Sequence, residues 1–452
     1  MTTKNRNHAA TLAKLDQSGV RFCLASYVDI HGRSKCKVVP VEHAAQMLNG
    51  SELFTGAALD GVPQAVNDDE VAAVPDPSSL TILPWKRDTA WFASDLWLRN
   101  APFEACSRQI LRRVLTRCHA MGFDFNLGIE TEFFVLKDGA DGVPVPIGPA
   151  VPLHKPAYDV RTILECMPVV QEIVESMNTL GWDVYSFDQE DAPGQFETDF
   201  KYADGLVMAD RFTFFRLMVN AIAEKHGYFA TFMPKPFKNR TGSGAHYNIS
   251  LADRASHKNR FEDPKDPRGC GMSTLGYQFI AGVLRHARAI CAVIAPTVNS
   301  YKRLIARGSM SGYTWAPIFV CYGNNNRTNM LRIPMNGPRI ECRAADISCN
   351  LYLGAAMILA AGLKGIEEGL DPGEPHRENM YLRSPEELAK ANVQMLPRSL
   401  GEAIEAFRID PLSEEVMGPL MYRTFIDVKT DEWLDYQSHV TDWEMSRYLK
   451  FF

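Results

Sequence analysis

Acidic side chains supply the first chemistry legible in this chain of 452 residues. In Gly128-Ile129-Glu130-Thr131-Glu132-Phe133, strand alternation puts Glu130 and Glu132 on one face and Ile129, Thr131 and Phe133 on the other, toward a core. Such a pair could simply be solvated, but the pattern recurs. Asp188-Gln189-Glu190-Asp191-Ala192-Pro193-Gly194-Gln195-Phe196-Glu197 brings more acids around a turn. His246, Asn248 and Ser250 alternate along another apolar run, and Glu341 and Arg343 share a face opposite Ile340 and Cys342. If these faces converge, several carboxylates occupy one cavity, and they cannot all stay ionised unless protons or cations intervene. Hard divalent ions such as Mg²⁺ or Mn²⁺, held by oxygens and one imidazole, are the natural partners. Zinc is disfavoured, since no cysteine joins the group.

Glycines and arginines accompany the acids. Gly242-Ser243-Gly244 precedes His246 and lets backbone amides approach a ligand. It matches no Walker loop, because no Gly-Lys-Ser/Thr follows. Downstream come Arg303, Arg327, Arg332, Arg339 and Arg343. Metal-binding acids beside guanidinium groups suit phosphoryl transfer, in which both neutralise moving negative charge.

The elements that must position these groups fall into two regions. Residues 1–102 mix short strands and turns, with Arg21–Tyr27 and Lys35–Val41 flanking the turn Asp29-Ile30-His31-Gly32. Residues 103–452 open with a helix from Ser107, whose stripe is Ile110, Leu111, Val114, Leu115 and Cys118. Helical patterns cover Val160–Leu180, with a bend expected at Pro168, and Asp204–His226, Ser273–Ile294 and Leu351–Glu368. Strand patterns cover Asn126–Leu136, Val184–Phe187, Phe229–Met233, His246–Leu251, Ile318–Tyr322, Met330–Ile333 and Ile340–Arg343. Asp138–Pro156 and Asp253–Pro267 read as surface loops. The class is α+β, with an antiparallel sheet lining a site and helices outside.

Composition narrows the function. A net charge of −6 leaves no basic footprint for nucleic acid. The ten cysteines contain no Cys-x-x-Cys pair and read as reduced thiols. Met1–Lys14 lacks the apolar core of a secretory segment, and Leu351–Leu363 is too short to span a bilayer. A cytoplasmic protein without a membrane partner is expected.

Taken together, these strings resemble the glutamine synthetase superfamily, in its order and near its spacing. They are the Gly128–Phe133 run, Glu190 with Gly194-Gln195 and Glu197, Ala230–Pro236, Gly242–His246, Asn299–Arg303, Asn326-Arg327 with Arg332–Pro334, and Arg339–Arg343. Asp29, Gly32 and Pro75-Asp76-Pro77 resemble its small N-terminal β-grasp domain, so the resemblance covers nearly the whole chain. It implies that domain followed by a large catalytic domain with a curved antiparallel sheet. It also implies ATP and two metal ions, with Glu132, Glu190 and Glu197 holding one and Glu130, His246 and Glu341 the other. Arg303 and Arg343 match residues at the substrate carboxylate and the transferring phosphate, and Gly242 matches the glutamate-binding segment. Ser250, Arg327 and Arg332 match nucleotide-side positions, and Tyr381 falls where some family members are adenylylated. The expected assembly is a homododecamer with active sites between subunits.

The sequence also departs from the family. Asp188-Gln189 stands where the family has His-His, and Thr241 where Asn is common. The flap glutamate before Ala-Pro is absent: the segment Gly308–Pro317 is longer and carries Trp315 in the acidic position. With Gly56–Gly61, this variant is similar to γ-glutamylmethylamide synthetases (glutamate–methylamine ligases). The implied reaction joins the glutamate γ-carboxylate to a small amine through γ-glutamyl phosphate, with Asp60 as candidate base and Trp315 as an aromatic wall for a methylated amine. Alternatives are a glutamine synthetase proper, a γ-glutamylpolyamine synthetase, or a non-catalytic scaffold, which would be free to lose the metal ligands retained here.

Overall fold

A computed structural model of the chain describes residues 8–140, 142–149, 155–307, 312 and 314–452. Parts of the expected Asp138–Pro156 loop and most of the Gly308–Trp315 segment lie outside the described residues.

The first sheet contains seven strands within residues 22–102. Its main path runs Ser34–Pro40, Phe22–Val28, Thr89–Leu98, Val71–Pro75, Glu52–Phe54, and Phe22–Val28 lies parallel to Thr89–Leu98. One face covers a small core of its own with Cys23, Ala25, Ala90 and Phe92, while Tyr27, Trp91 and Ala93 join the main core of the molecule. The Asp29–Gly32 turn links the two regions. Asp29 Oδ1 accepts from the amides of His31 (3.0 Å) and Arg33 (2.9 Å), which closes the turn. Gly32 then presses so close to Asn350 that a Cβ would lie 2.9 Å from its Cα. Its carbonyl accepts from Arg216 Nη2 at 2.6 Å. A side chain at position 32 would push the turn off the larger region.

The second sheet contains ten strands. Its path is Val184–Gln189, Gln195–Phe200, Phe123–Asp138, Ala245–Asp253, Ile340–Cys342, Asn329–Ile333, Phe319–Asn324. Neighbours are antiparallel except the last pair, which is parallel and so departs from the expected all-antiparallel sheet. Residues 325–328 double back between those two strands. They are closed by Asn326 Oδ1, which accepts from the Thr328 amide at 3.1 Å, and not by a hairpin ladder.

Helices pack behind this sheet. The apolar run from Leu351 forms the helix Leu351–Glu367, nearly all of it buried, because it is apolar around its whole circumference. The helix Val160–Thr179 continues through Pro168. The single helix expected over Ser273–Ile294 is two, Thr274–Arg285 and Ala287–Ile294. They part at His286, whose Nδ1 is 2.8 Å from Asp410. Beyond Glu368 the structure adds helices that the sequence reading did not delimit, among them Leu400–Ile409 and Pro419–Ser438. No described helix is long and apolar enough to cross a membrane.

Candidate active site

Strand register assembles the acids. Glu197 pairs with Glu132, His246 with Glu130, and Glu341 with both Asn248 and Arg332. Directly opposed residues of antiparallel strands project to the same face, so polar groups from five strands meet in one cavity. That cavity encloses about 530 Å³ and includes Glu130, Glu132, Asp188, Glu190, Glu197, Asp199 and His246 in its lining. The opposite faces carry Ile129, Phe133, Tyr247 and Cys342 into the core.

His246 is the hub. Its Nδ1 is 2.8 Å from Glu130 Oε2 and 3.7 Å from Glu341 Oε1, and its Nε2 is 3.6 Å from Glu132 Oε1. Among the described residues, two trios place one ligand atom each within 4.8 Å of one another: Glu130, His246 and Glu341, and Glu132, Glu197 and His246. The first is the trio that the family resemblance implies. In the second, the imidazole stands where Glu190 was expected. Glu190 still lines the cavity, with its Oε2 accepting from the Asp191 amide at 3.0 Å.

The charges divide into satisfied and unsatisfied carboxyls. Burial would raise Glu341, but Arg343, His246 and Arg332 overcome it and hold its carboxyl down to about 2. Glu130 is partly buried, which would raise it, yet hydrogen bonding to His246 and Asn248 keeps it below the usual range. On the other side of the cavity burial and like charge prevail. Burial first, then the charge of Glu132, pushes Glu190 up to about 8. Burial and Glu130 raise Asp199 to about 7, and burial and Glu132 raise Asp188 to about 6. Glu197 is raised too, by burial and by Glu130, Glu190 and Glu132. Carboxyls this crowded and aimed at one space are a fitting donor set for divalent cations.

The basic side chains form the rest of the wall. Arg303 is buried, with Nη1 and Nη2 donating to the carbonyls of Ala344 and Arg343, each at 3.1 Å. Arg343 pairs with Glu341 and donates from Nη2 to the Trp315 carbonyl at 3.3 Å. Arg332 bridges Glu341 (2.5 Å) and Asn325 (2.8 Å), while Arg327 is exposed at the cavity edge. The glycines are required by Arg303. A Cβ on Gly242 would lie 2.4 Å from the Pro234 carbonyl and 2.8 Å from the Arg303 side chain. One on Gly244 would lie 2.7 Å from Arg303 Nη2 and 2.8 Å from His246 Nε2. Thr241 Oγ1 donates to Gln195 Oε1 at 2.7 Å, and Gln195 Nε2 donates to the Gly242 carbonyl at 3.0 Å. The hairpin strand thereby fixes the glycine loop.

A second cavity of about 590 Å³ adjoins the first through shared walls at Glu130 and Asp199, and Ser250, Tyr185, Tyr202 and Arg339 line it. Ser250 therefore sits apart from Arg327 and Arg332, its expected companions. Trp315 lines the acidic cavity. Asp60 lines neither cavity; it is exposed in a turn between the strands Glu52–Phe54 and Val71–Pro75.

Sequence reasoning missed Asp199 in the acidic cluster. The signal was present, since Gln195–Phe200 is a strand and Asp199 lies two residues beyond Glu197, hence on the same face. Lys155 and Tyr158, also in the lining, had no sequence signal.

The family model described as glutamine synthetase, catalytic domain, matches residues 104–448. A glutamate–methylamine ligase of Methyloversatilis universalis is 40% identical over 97% of this chain and 98% of that protein. A glutamine synthetase of Rhizobium meliloti is 39% identical over 95% of this chain and 96% of that one. A solved structure titled as a GmaS/ADP complex superposes with a TM-score of 0.90 at 39% identity, covering 97% of this chain and 99% of that one. With its catalytic-domain match spanning most of its length and relatives aligned nearly end to end, the chain belongs to the glutamine synthetase family.

Proposed function

We propose that the protein ligates the γ-carboxylate of glutamate to a small amine, with methylamine as the preferred acceptor, at the expense of ATP. The observation that carries this reading is the single cavity in which crowded carboxyls and an imidazole face buried guanidinium groups. Trp315 stands on its wall, where the family's ammonia-using members carry an acid. The relatives named above support ligation of glutamate to an amine, and the glutamate–methylamine ligase among them favours methylamine.

The residues present fit two divalent cations. Glu130, His246 and Glu341 would hold one, and Glu132, Glu197 and Glu190, with His246 alongside, the other. Bound there, such ions would neutralise the carboxylates and act as Lewis acids toward phosphate oxygens. The nucleotide is assigned to the cavity lined by Ser250, with its phosphates toward Arg332, Arg327 and Arg343. Arg303 spends one N–H from each terminal nitrogen on main-chain carbonyls and keeps the rest for a substrate carboxylate. It would orient glutamate beside Gly242. The γ-carboxylate then attacks the γ-phosphorus, giving γ-glutamyl phosphate and ADP, while Arg343 faces the transferring group. The amine, once deprotonated, displaces phosphate from the acyl carbon.

Asp60 is our candidate base. Because it is exposed and outside its own chain's cavity, the reading requires a neighbouring copy's first sheet to complete each site, as in a homododecamer. Residues 1–102 would form that completing domain and residues 103–452 the catalytic one. Trp315 offers an apolar and cation-tolerant surface to a methylammonium ion.

The test is ADP and phosphate release with glutamate and a panel of ammonia, methylamine, ethylamine and a polyamine. The expected result is turnover that needs glutamate and an amine together and favours methylamine. A strong preference for ammonia rejects the methylamine assignment, and release independent of any amine rejects ligation.

A further inference from the structure

Trp315 adopts a backbone conformation that bulky side chains seldom take. Its φ is +59°, in the left-handed region, and such a conformation persists only where its surroundings over-determine it. Hydrogen bonds on both sides hold it here. Thr314 Oγ1 donates to the Ile305 carbonyl on one side. Arg343 Nη2 donates to the carbonyl of Trp315 itself at 3.3 Å. On the other side Tyr381 donates its hydroxyl proton to the Ala316 carbonyl at 2.6 Å.

Tyr381 does not line the acidic cavity. Its ring packs in a separate apolar cluster with Phe319, Cys321 and Met380. The short turn Met380–Leu382 that carries it is pinned from several directions. Asn379 Oδ1 accepts from the Tyr381 amide at 3.1 Å, and Thr328 Oγ1 accepts from the Met380 amide at 3.1 Å. Asn326 Nδ2 donates to the carbonyls of His376 (2.9 Å) and Glu378 (2.7 Å). Asn326 and Thr328 flank Arg327, which does line the cavity. Tyr381 therefore reaches segment 314–316 from an anchored base.

We infer that Tyr381 is a positioning residue for the amine side of the cavity: its hydroxyl, bonded to the Ala316 carbonyl, holds the strained Trp315 against Arg343, so the aromatic wall is in place before an amine arrives. The inference deepens the ligase reading and rests on it for the identity of the amine. The strap itself rests on geometry alone.

The test is Tyr381→Phe, which keeps the ring and removes the donor, with two readouts. The first needs no turnover. Acrylamide quenching of Trp315 is taken as the difference between wild type and Trp315→Phe, each with and without Tyr381→Phe. Trp315 is expected to become more quenchable when the hydroxyl is lost; unchanged quenching overturns the strap. The second is kinetic. Losing one such bond should raise KM for the amine about three- to tenfold, while KM for glutamate and ATP stays within about twofold. The preference for methylamine over ammonia should narrow as well. An equal change in every KM, or in none, overturns the positioning role. If wild type turns over ammonia alone, the methylamine reading fails, and the same comparison made with ammonia still decides Tyr381. If no amine supports turnover, the ligase reading fails and the quenching result decides the strap.

Discussion

The unsatisfied half of the acidic cavity makes a testable demand on stability. Glu190 is partly buried and held at about 8, whereas a glutamate in an unfolded chain titrates near ~4.3. A folded pKa above the unfolded one means that the native state binds more protons between those values. Stability from this group is therefore fully present below the unfolded pKa and is lost as pH rises through the folded pKa. The difference amounts to roughly 5 kcal/mol by about pH 9 for Glu190 alone. Asp199, at about 7, and Asp188, at about 6, add in the same direction, each reduced by its partial contact with solvent. A divalent cation takes the place of those protons, and whatever binds only the folded state stabilises it. Thermal unfolding in EDTA should therefore fall as pH rises from about 5 to about 9, and the gap opened by saturating Mg²⁺ or Mn²⁺ should widen over the same range. Calorimetry in buffers of different ionisation enthalpy should register proton release on metal binding near neutral pH. An EDTA melting temperature that stays flat or climbs, with a metal effect indifferent to pH, would refute the clustering.

Three further outcomes follow from particular contacts. Gly244→Ala forces Arg303 and His246 apart and should cut turnover by about 100-fold with the fold intact by circular dichroism, since about 1 Å of displacement suffices for such losses; wild-type rates would contradict the close packing. Arg108 is buried, doubly bonded to Asp210 (2.9 and 2.8 Å) and paired with Asp76 (2.9 Å) and Asp95 (3.0 Å). Arg108→Leu leaves Asp76 and Asp95 to Arg112 and Asp210 to the Tyr352 hydroxyl, and should destabilise the fold by about 3–5 kcal/mol in urea unfolding. Trp315→Glu restores an acid to the cavity wall and should shift kcat/KM toward ammonia over methylamine; an unchanged ratio removes Trp315 from amine selection.

The chain's local patterns carried much of the site. Alternation along Gly128–Phe133, Ala245–Ser250 and Ile340–Arg343 settled which side chains share a face, because a strand's period is two whatever lies beside it. The same logic would have reached Asp199, had Gln195–Phe200 been read as a strand. The buried helix at Leu351 was legible as well, since an all-apolar helix has no face to offer water. Tertiary structure alone decided which strands are neighbours and in what register, and with that the pairing of Glu132 with Glu197 and of His246 with Glu130. It also decided that the imidazole lies within reach of Glu132 and Glu197 as well as of Glu130 and Glu341, and that one edge pair of the second sheet runs parallel. Arg108 binding acids from distant segments and Tyr381 reaching Ala316 across 65 residues left no trace in local sequence. Such contacts depend on where the chain returns in space, and periodicity reports only on a residue's nearest neighbours along the chain.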